Sequence, residues 1–273
     1  MYTSYWGLNR RPFEERQEAE LYFPAASHQT ALLKLRYLVE QRKGIAVVAG
    51  EHGLGKSLLT QVFERENSIG PVIRLLLPQL SAMETLAYFA SRLGCELPRR
   101  LVEHRVLELL EDRLAELQRE SSHAVLLVDD AHLLDNSHLN ALRLLLNLNE
   151  QGQADFSIIL CGRTQLLGRL QQFEALQTRS ALRAAVAPLE KGEILPYVRH
   201  RLSVCGAEQE IFTTGALDSL FTHSQGIPRR INQICDLALL VGYVDELNHL
   251  GAIEIEAAAE ELFAVVAPRL HAA

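Results

Sequence analysis

Long apolar runs are missing from this chain. No stretch approaches 18 uninterrupted apolar residues, so direct membrane insertion is not expected, and any membrane role would come through a partner. The N-terminus, Met1-Tyr2-Thr3-Ser4-Tyr5-Trp6, lacks the basic flank and apolar centre of a secretory leader, which predicts a soluble, cytoplasmic protein. Aromatic residues are scarce at 6%, and Leu and Ala dominate instead, which favours helices over an all-β sandwich. Cysteines are few and scattered. Cys95, Cys161, Cys205 and Cys235 form no pair at metal-ligand or redox spacing, and their apolar neighbours predict buried free thiols. A basic excess is also lacking: 27 Lys and Arg stand against 34 Asp and Glu, for a net charge of −7. Nonspecific nucleic-acid binding by a single chain is therefore disfavoured, while a local basic face, or one built by oligomerisation, stays open. No internal repeat or low-complexity tract is visible.

What the chain does have is Gly50-Glu51-His52-Gly53-Leu54-Gly55-Lys56-Ser57, with Leu58 continuing into an apolar helical run and Ile45 to Ala49 preceding it. This is a phosphate-binding loop pattern in the strand–loop–helix setting that the pattern requires. Its glycines permit a tight turn whose successive N–H groups point at one anionic centre, at the positive end of a new helix. Lys56 is then placed to reach the β- and γ-phosphates of a nucleotide such as ATP, and the Ser57 hydroxyl to ligand Mg²⁺.

A second stretch, Ala124 to Val128, is continuously apolar and ends in Asp129-Asp130, about 70 residues after the loop. A strand apolar on both faces belongs in a parallel sheet covered by helices, and ligands collect at the carboxyl ends of such strands. Asp129 is therefore placed to hold the Mg²⁺ shell, and Asp130 to orient or deprotonate an attacking water. Further strands are expected over 72–77, 156–161 and 183–187, making five that alternate with helices in a doubly wound α/β layer. Helices are expected over 27–41, 82–93, 101–120, 136–149 and 165–182. Gly162-Arg163-Thr164 follows the fourth strand, and Arg163 or Thr164 either touches the γ-phosphate or serves the turn alone. Tyr22 and Phe23 either line an adenine pocket beside the phosphate loop or cover a sheet edge.

After Pro188 only helices are expected, over 190–204, 213–223, 228–244 and 254–266, with Thr213 or Thr214 as a cap and Pro228 in a first turn. The predicted domains are an N-terminal segment, 1–43, packing on the nucleotide-binding core; that core, 44–189; and a helical lid, 190–273. In Gly226-Ile227-Pro228-Arg229-Arg230, an Arg stands at a helix start, where it can bind phosphate in a bidentate manner.

These pieces in this order resemble an AAA+ ATPase of the general secretion pathway protein A (ExeA-like) family. Its N-terminal pattern is echoed by Trp6-Gly7-Leu8, Pro12-Phe13, Tyr22-Phe23, His28 and Ala31-Leu32. Pro188-Leu189, Tyr197 to Leu202, Gly226 to Asn232 and Cys235 to Leu240 also match. The resemblance implies a P-loop NTPase sheet with a helical lid. Gly50 to Ser57 would be its Walker A loop and Asp129-Asp130 the end of its Walker B strand. Sensor 1 would lie in Gly162-Arg163-Thr164, and Arg229 would be sensor 2. Arg179, nine residues before the Pro-Leu pair, would be the arginine finger that completes a neighbour's site, which implies a homo-oligomeric ring or filament; Arg183 stands five residues before the pair.

Family members end Walker B in Asp-Glu, where this chain has Asp130, and carry Gln-Pro where it has Arg163-Thr164. A side chain one methylene shorter withdraws its carboxylate by about 1.5 Å, which implies slow hydrolysis or an ATP-loaded switch. Long members append a membrane helix and an envelope-binding domain, which are not expected in a chain that stops at Ala273. The function implied is an ATPase that oligomerises with ATP and drives or gates assembly of a secretion or envelope export system, for proteins or polysaccharide, with an envelope protein as partner. The alternative is an ATP-dependent DNA-binding regulator of transposition, similar in its core to the TnsC, TniB and MuB ATPases.

Overall fold

The computed structural model describes residues 2–15, 18–76 and 79–263. In chain order it contains α1 (Tyr2–Tyr5), a 3-10 turn at Ala19–Leu21, α2 (Ala26–Glu40), β1 (Ile45–Ala49), α3 (Lys56–Glu66), β2 (Val72–Leu75), α4 (Ala82–Arg92) and α5 (Glu103–Arg119). There follow β3 (Ala124–Val128), a 3-10 turn at Ala131–Leu133, α6 (Asn136–Glu150), β4 (Phe156–Gly162), α7 (Gln165–Gln171), α8 (Glu174–Arg179) and β5 (Ser180–Ala185). The last elements are α9 (Lys191–Val204), α10 (Thr214–Ser224), α11 (Pro228–Val244) and α12 (Ala252–Phe263). None of the described helices is long and apolar enough to cross a membrane.

The chain forms two compact units, one of residues 26–52 and 56–187, the other of residues 1–25, 53–55 and 188–273. In the first, five parallel strands are ordered β2-β3-β4-β1-β5. Every residue of β1, β3 and β4 is buried, as strands covered on both faces must be. Alternate residues divide between those faces. Ile45 and Val47, Leu126 and Val128, and Ile158 and Leu160 join Phe89 of α4, Leu110 and Leu114 of α5, and Leu142 of α6 in one core. Capping sets where α6 begins: the Asp135 carboxylate accepts the backbone N–H of His138 at 3.0 Å and the Ser137 hydroxyl at 2.6 Å, satisfying donors that a helix start leaves unpaired.

Several boundaries differ from expectation. The helix predicted over 165–182 is two short helices, and β5 begins at Ser180 rather than Arg183. Residues Ser180 to Ala185 carry helix-forming Ala, Leu and Arg, but pairing with β1, from Ile45↔Ser180 to Ala49↔Ala185, overrides that propensity. Strand β2 ends at Leu75, and Leu76 is exposed; the predicted end at Leu77 lies outside the described residues. The last helix begins at Ala252, and its expected end at Val266 also lies outside them.

The second unit is built on α9 to α12. Tyr2, Leu8, Phe13 and Leu21 of the N-terminal segment are buried in its core with Tyr197, Leu220, Ile234 and Leu239. Trp6 Nε1–H donates to Leu239 O at 2.9 Å. Arg201, only 4% exposed, donates from Nε to Pro12 O at 2.6 Å and from Nη2 to Glu14 O at 3.1 Å, and its Nη1 lies 3.2 Å from Tyr197 Oη. The division at residue 43 read from the sequence thus differs from the packing. Residues before Ala26 join the helical unit because their apolar side chains are buried there, while α2 belongs with the sheet. Thr213 caps α10, its hydroxyl accepting the Ala216 N–H, and Pro228 is the first residue of α11.

Candidate functional site

Strand β1 lies between β4 and β5, and β4 lies between β1 and β3. The loops leaving β1, β3 and β4 therefore emerge side by side at the carboxyl edge of the sheet. Strand order reverses there, and open α/β sheets bind ligands at such a place. Gly50 to Gly55 leave β1 and Lys56 starts α3. Gly50 N–H donates to Gly162 O at 3.2 Å, tying the loop's first residue to the tip of β4. Gly53 and Gly55 have φ of +81° and +85°, a backbone region that side chains with a Cβ rarely adopt. Gly53 belongs with the helical unit, where the Arg229 N–H donates to its carbonyl at 3.1 Å. A Cβ at Gly53 would lie 2.9 Å from the Cβ of Arg229, so the α11 start itself requires glycine at that position.

Lys56 is half-buried, and Nζ donates to Glu51 O at 2.8 Å. Burial lowers the pKa of its ammonium, while Cys161, Asp129, Asp130 and Glu51 act the other way. Among the described residues Lys56 forms no salt bridge. A desolvated cation held by a backbone carbonyl, at a helix N-terminus beside two left-handed glycines, is a cradle that fits a polyphosphate. Half-buried Ser57 follows in the first turn of α3. The Thr60 hydroxyl donates to Ser57 O at 3.0 Å and lies 3.0 Å from Arg74 Nη2.

At the end of β3, Asp129 is 6% exposed. Its N–H donates to Leu75 O at 2.9 Å, and its Oδ1 accepts the Asp130 N–H at 3.0 Å. The Cys161 thiol lies beside it; burial first, and the Asp129 carboxylate second, push that thiol's pKa far up, so it stays protonated. A buried carboxylate and a serine hydroxyl form an all-oxygen donor set, which fits Mg²⁺ rather than a softer metal. Asp130 is exposed, with φ +48°, a left-handed conformation that Asp tolerates better than most residues.

At the tip of β4, the Thr164 hydroxyl donates to Glu51 Oε1, while the Arg163 side chain is exposed. Thr164 is thus the residue of this pair that meets the phosphate loop. Arg179 lies at the end of α8, directed to α6: it donates to Arg143 O at 3.0 Å, Asn147 Oδ1 at 2.8 Å and Glu150 Oε2 at 2.7 Å. Arg183 is exposed on β5. In the helical unit, Arg229 Nε lies 3.4 Å from Glu15 Oε2. There the Phe23 ring packs edge-on against Tyr197 at 5.7 Å and lies 6.0 Å from His200, and Tyr22 is half-buried.

One residue not singled out from the sequence belongs to this cluster. His132, two residues after Asp130, points Nδ1 at Asp130 Oδ1 from 3.7 Å. The available signal was its spacing, two residues after Asp130 in the Ala131–Leu133 turn.

Comparison with known proteins gives the following. Residues 39–170 match the AAA domain family. Over 265 residues the chain is 30% identical to general secretion pathway protein A of Aeromonas hydrophila, covering 96% of this chain and 48% of that protein. The chain therefore spans about half the length of the curated relative it matches. Among solved structures, Cdc6p of Pyrobaculum aerophilum superposes with a TM-score of 0.73 at 15% identity, covering 92% of this chain and 70% of that one. The Aeropyrum pernix ORC2 protein, solved in ADPNP and ADP complexes, gives 0.66 at 14% identity, over 94% and 73%. The RuvB Holliday junction branch migration motor of Thermotoga maritima gives 0.59 at 15%, over 86% and 68%. At such identities these structures establish a shared fold.

Proposed function

We propose that this chain, whose residues 39–170 match the AAA domain family and which is 30% identical to general secretion pathway protein A over 48% of that protein, is a Mg²⁺-dependent AAA+ ATPase that assembles with ATP into a ring or filament and drives or gates assembly of a secretion or envelope export system. The observation that carries the reading is Lys56, a half-buried cation bonded to a loop carbonyl, with Asp129 and Asp130 among the groups that bear on its charge.

The backbone N–H groups of the loop from Gly50 to Leu58 cradle the phosphates, and Lys56 reaches the β- and γ-phosphates. Ser57 and Asp129 hold Mg²⁺, which when bound neutralises charge on those phosphates. Asp130 orients a water and takes its proton as the water oxygen bonds to the γ-phosphorus and the bond to the β,γ-bridging oxygen breaks, leaving ADP and phosphate. Thr164, rather than Arg163, is the sensor at the tip of β4. Arg179 completes a neighbouring subunit's site, Arg229 reports nucleotide state to the helical unit, and Tyr22 and Phe23 form the slot for the base.

The experiment is sizing by light scattering without nucleotide, with ADP and with a slowly hydrolysed ATP analogue, run beside steady-state phosphate release. Assembly with the ATP analogue alone, lost in Arg179→Ala, and phosphate release lost in Lys56→Ala are the expected results. A monomer under every condition overturns the shared-site reading. Turnover no higher than Lys56→Ala overturns hydrolysis. Entry of duplex DNA into the assembly, weakened steeply by salt, would transfer the protein to the regulators of transposition.

A further inference from the structure

His132 lies in the short 3-10 turn directly after the Asp129-Asp130 pair. Its Nδ1 is buried without a hydrogen-bond partner among the described residues, an arrangement that is unfavourable unless the group is used. The acceptor it faces is Asp130 Oδ1, 3.7 Å away. A hydrogen bond needs that gap to shrink by about 0.5–1 Å.

Which partner would move is decided by what holds each of them. The His132 backbone is gripped from two sides. A Cβ at Gly162 would lie 3.0 Å from His132 N and 3.4 Å from its Cβ, so β4 approaches the turn as closely as glycine allows. From α7, Arg169 Nη1 donates to His132 O at 2.9 Å. The His132 side chain is 9% exposed, whereas that of Asp130 is 59% exposed. The turn that carries the buried ring is held, whereas the Asp130 carboxylate has open space around it.

We propose that His132 is a positioning residue for Asp130: its Nδ1–H donates to the Asp130 carboxylate in the ATP-bound protein and holds the short side chain at the angle from which it orients water. Burial lowers the His132 pKa, against the pull of Asp130 and together with Arg163, Lys56 and Arg169. The imidazole is therefore neutral, and the facing carboxylate selects the tautomer with the proton on Nδ1. The pair offsets part of the reach that Asp130 lacks relative to Glu. This inference rests on Asp130 acting on the attacking water, as proposed above.

The test uses the full chain and reads kcat and KM for phosphate release in three variants. Asn places an amide N–H close to the position of Nδ1, whereas Gln places it where Nε2 stands. His132→Ala and His132→Gln should lower kcat by about 10- to 100-fold with KM within about twofold, and His132→Asn should recover to within about threefold of wild type. In an Asp130→Glu background, His132→Ala should cost less than about threefold, because the longer carboxylate no longer needs support. His132→Asn as slow as His132→Ala, or all three variants at the wild-type rate, overturns the proposal.

A second measurement stands apart from turnover. ¹⁵N-resolved NMR of the imidazoles, with Mg²⁺ and a slowly hydrolysed ATP analogue, should show a protected His132 Nδ1–H that is lost in Asp130→Ala, which removes the acceptor. Its absence in the wild type overturns the pairing even where hydrolysis is measured. Its presence in a protein without turnover preserves the pairing and removes only the hydrolytic reading.

Discussion

Arg179 of α8 donates from Nη2 to Glu150 Oε2, 2.7 Å away at the end of α6. The arginine proposed to serve a neighbouring subunit is thus held by its own chain. Releasing it means breaking this ion pair and the bonds to Asn147 and Arg143. The Glu150 side chain is 57% exposed, and a pair this accessible is worth only about 0.2–1 kcal/mol. Glu150→Ala should therefore shift assembly with the ATP analogue to protein concentrations lower by no more than about fivefold, read by light scattering. A loss of assembly would show that Glu150 itself belongs to the subunit contact.

Asp130→Glu should raise kcat several-fold, because the longer side chain advances its carboxylate by about 1.5 Å. The left-handed backbone at this position suits Asp better than Glu, so the same variant should melt a little lower. Phosphate release and thermal melting, measured on one preparation, check both directions. Unchanged turnover with normal nucleotide binding would count against a role for carboxylate reach.

His123 is fully buried, with Nε2 2.8 Å from the Ser157 hydroxyl oxygen. That hydroxyl donates to Lys43 O at 2.7 Å. Burial lowers the His123 pKa; the Asp155 carboxylate, 3.0 Å from Nδ1, pulls it up but is itself paired with Arg42. A histidine whose folded pKa is depressed contributes fully above its unfolded value, near pH 6.5, and loses that contribution as the pH falls below it. Urea unfolding at pH 8, 6 and 5 should show stability declining below pH 6.5, and His123→Gln should flatten that decline. Identical slopes for the two proteins would refute the assignment.

Arg201→Ala should destabilise the helical unit by about 2–4 kcal/mol, since it leaves the carbonyls of Pro12 and Glu14 without a buried charged donor. Arg201→Lys should fall between, because one ammonium cannot replace a planar fork. Guanidinium melts give the magnitude. Faster proteolysis of the N-terminal segment should accompany the loss.

The nucleotide-binding elements were legible because they depend on local pattern. Ile45–Ala49 and Ala124–Val128 are apolar at every position, and nothing but a strand covered on both faces suits them. Pro228 likewise marked the start of α11 by chemistry that acts within one turn. Positions governed by long-range pairing were not legible. Ser180-Ala181-Leu182 reads as helix until β1 is beside it, and nothing near Tyr2 or Phe13 says that their partners lie some 200 residues away. The Glu51–Thr164 contact arises where loops from different strands converge, and no spacing in the chain encodes such a meeting.

The hydrogen bond from Trp6 to Leu239 also sets an order of events in synthesis. The acceptor of the Trp6 bond is made 233 residues after Trp6 itself. At about 5–20 residues per second, the apolar hook of Trp6, Leu8 and Phe13 waits roughly 10–50 s for the helices that bury it. By the end of that interval the chain holds a completed sheet sequence and an exposed apolar hook at the same time. The nascent protein is therefore most in need of chaperone cover at that hook.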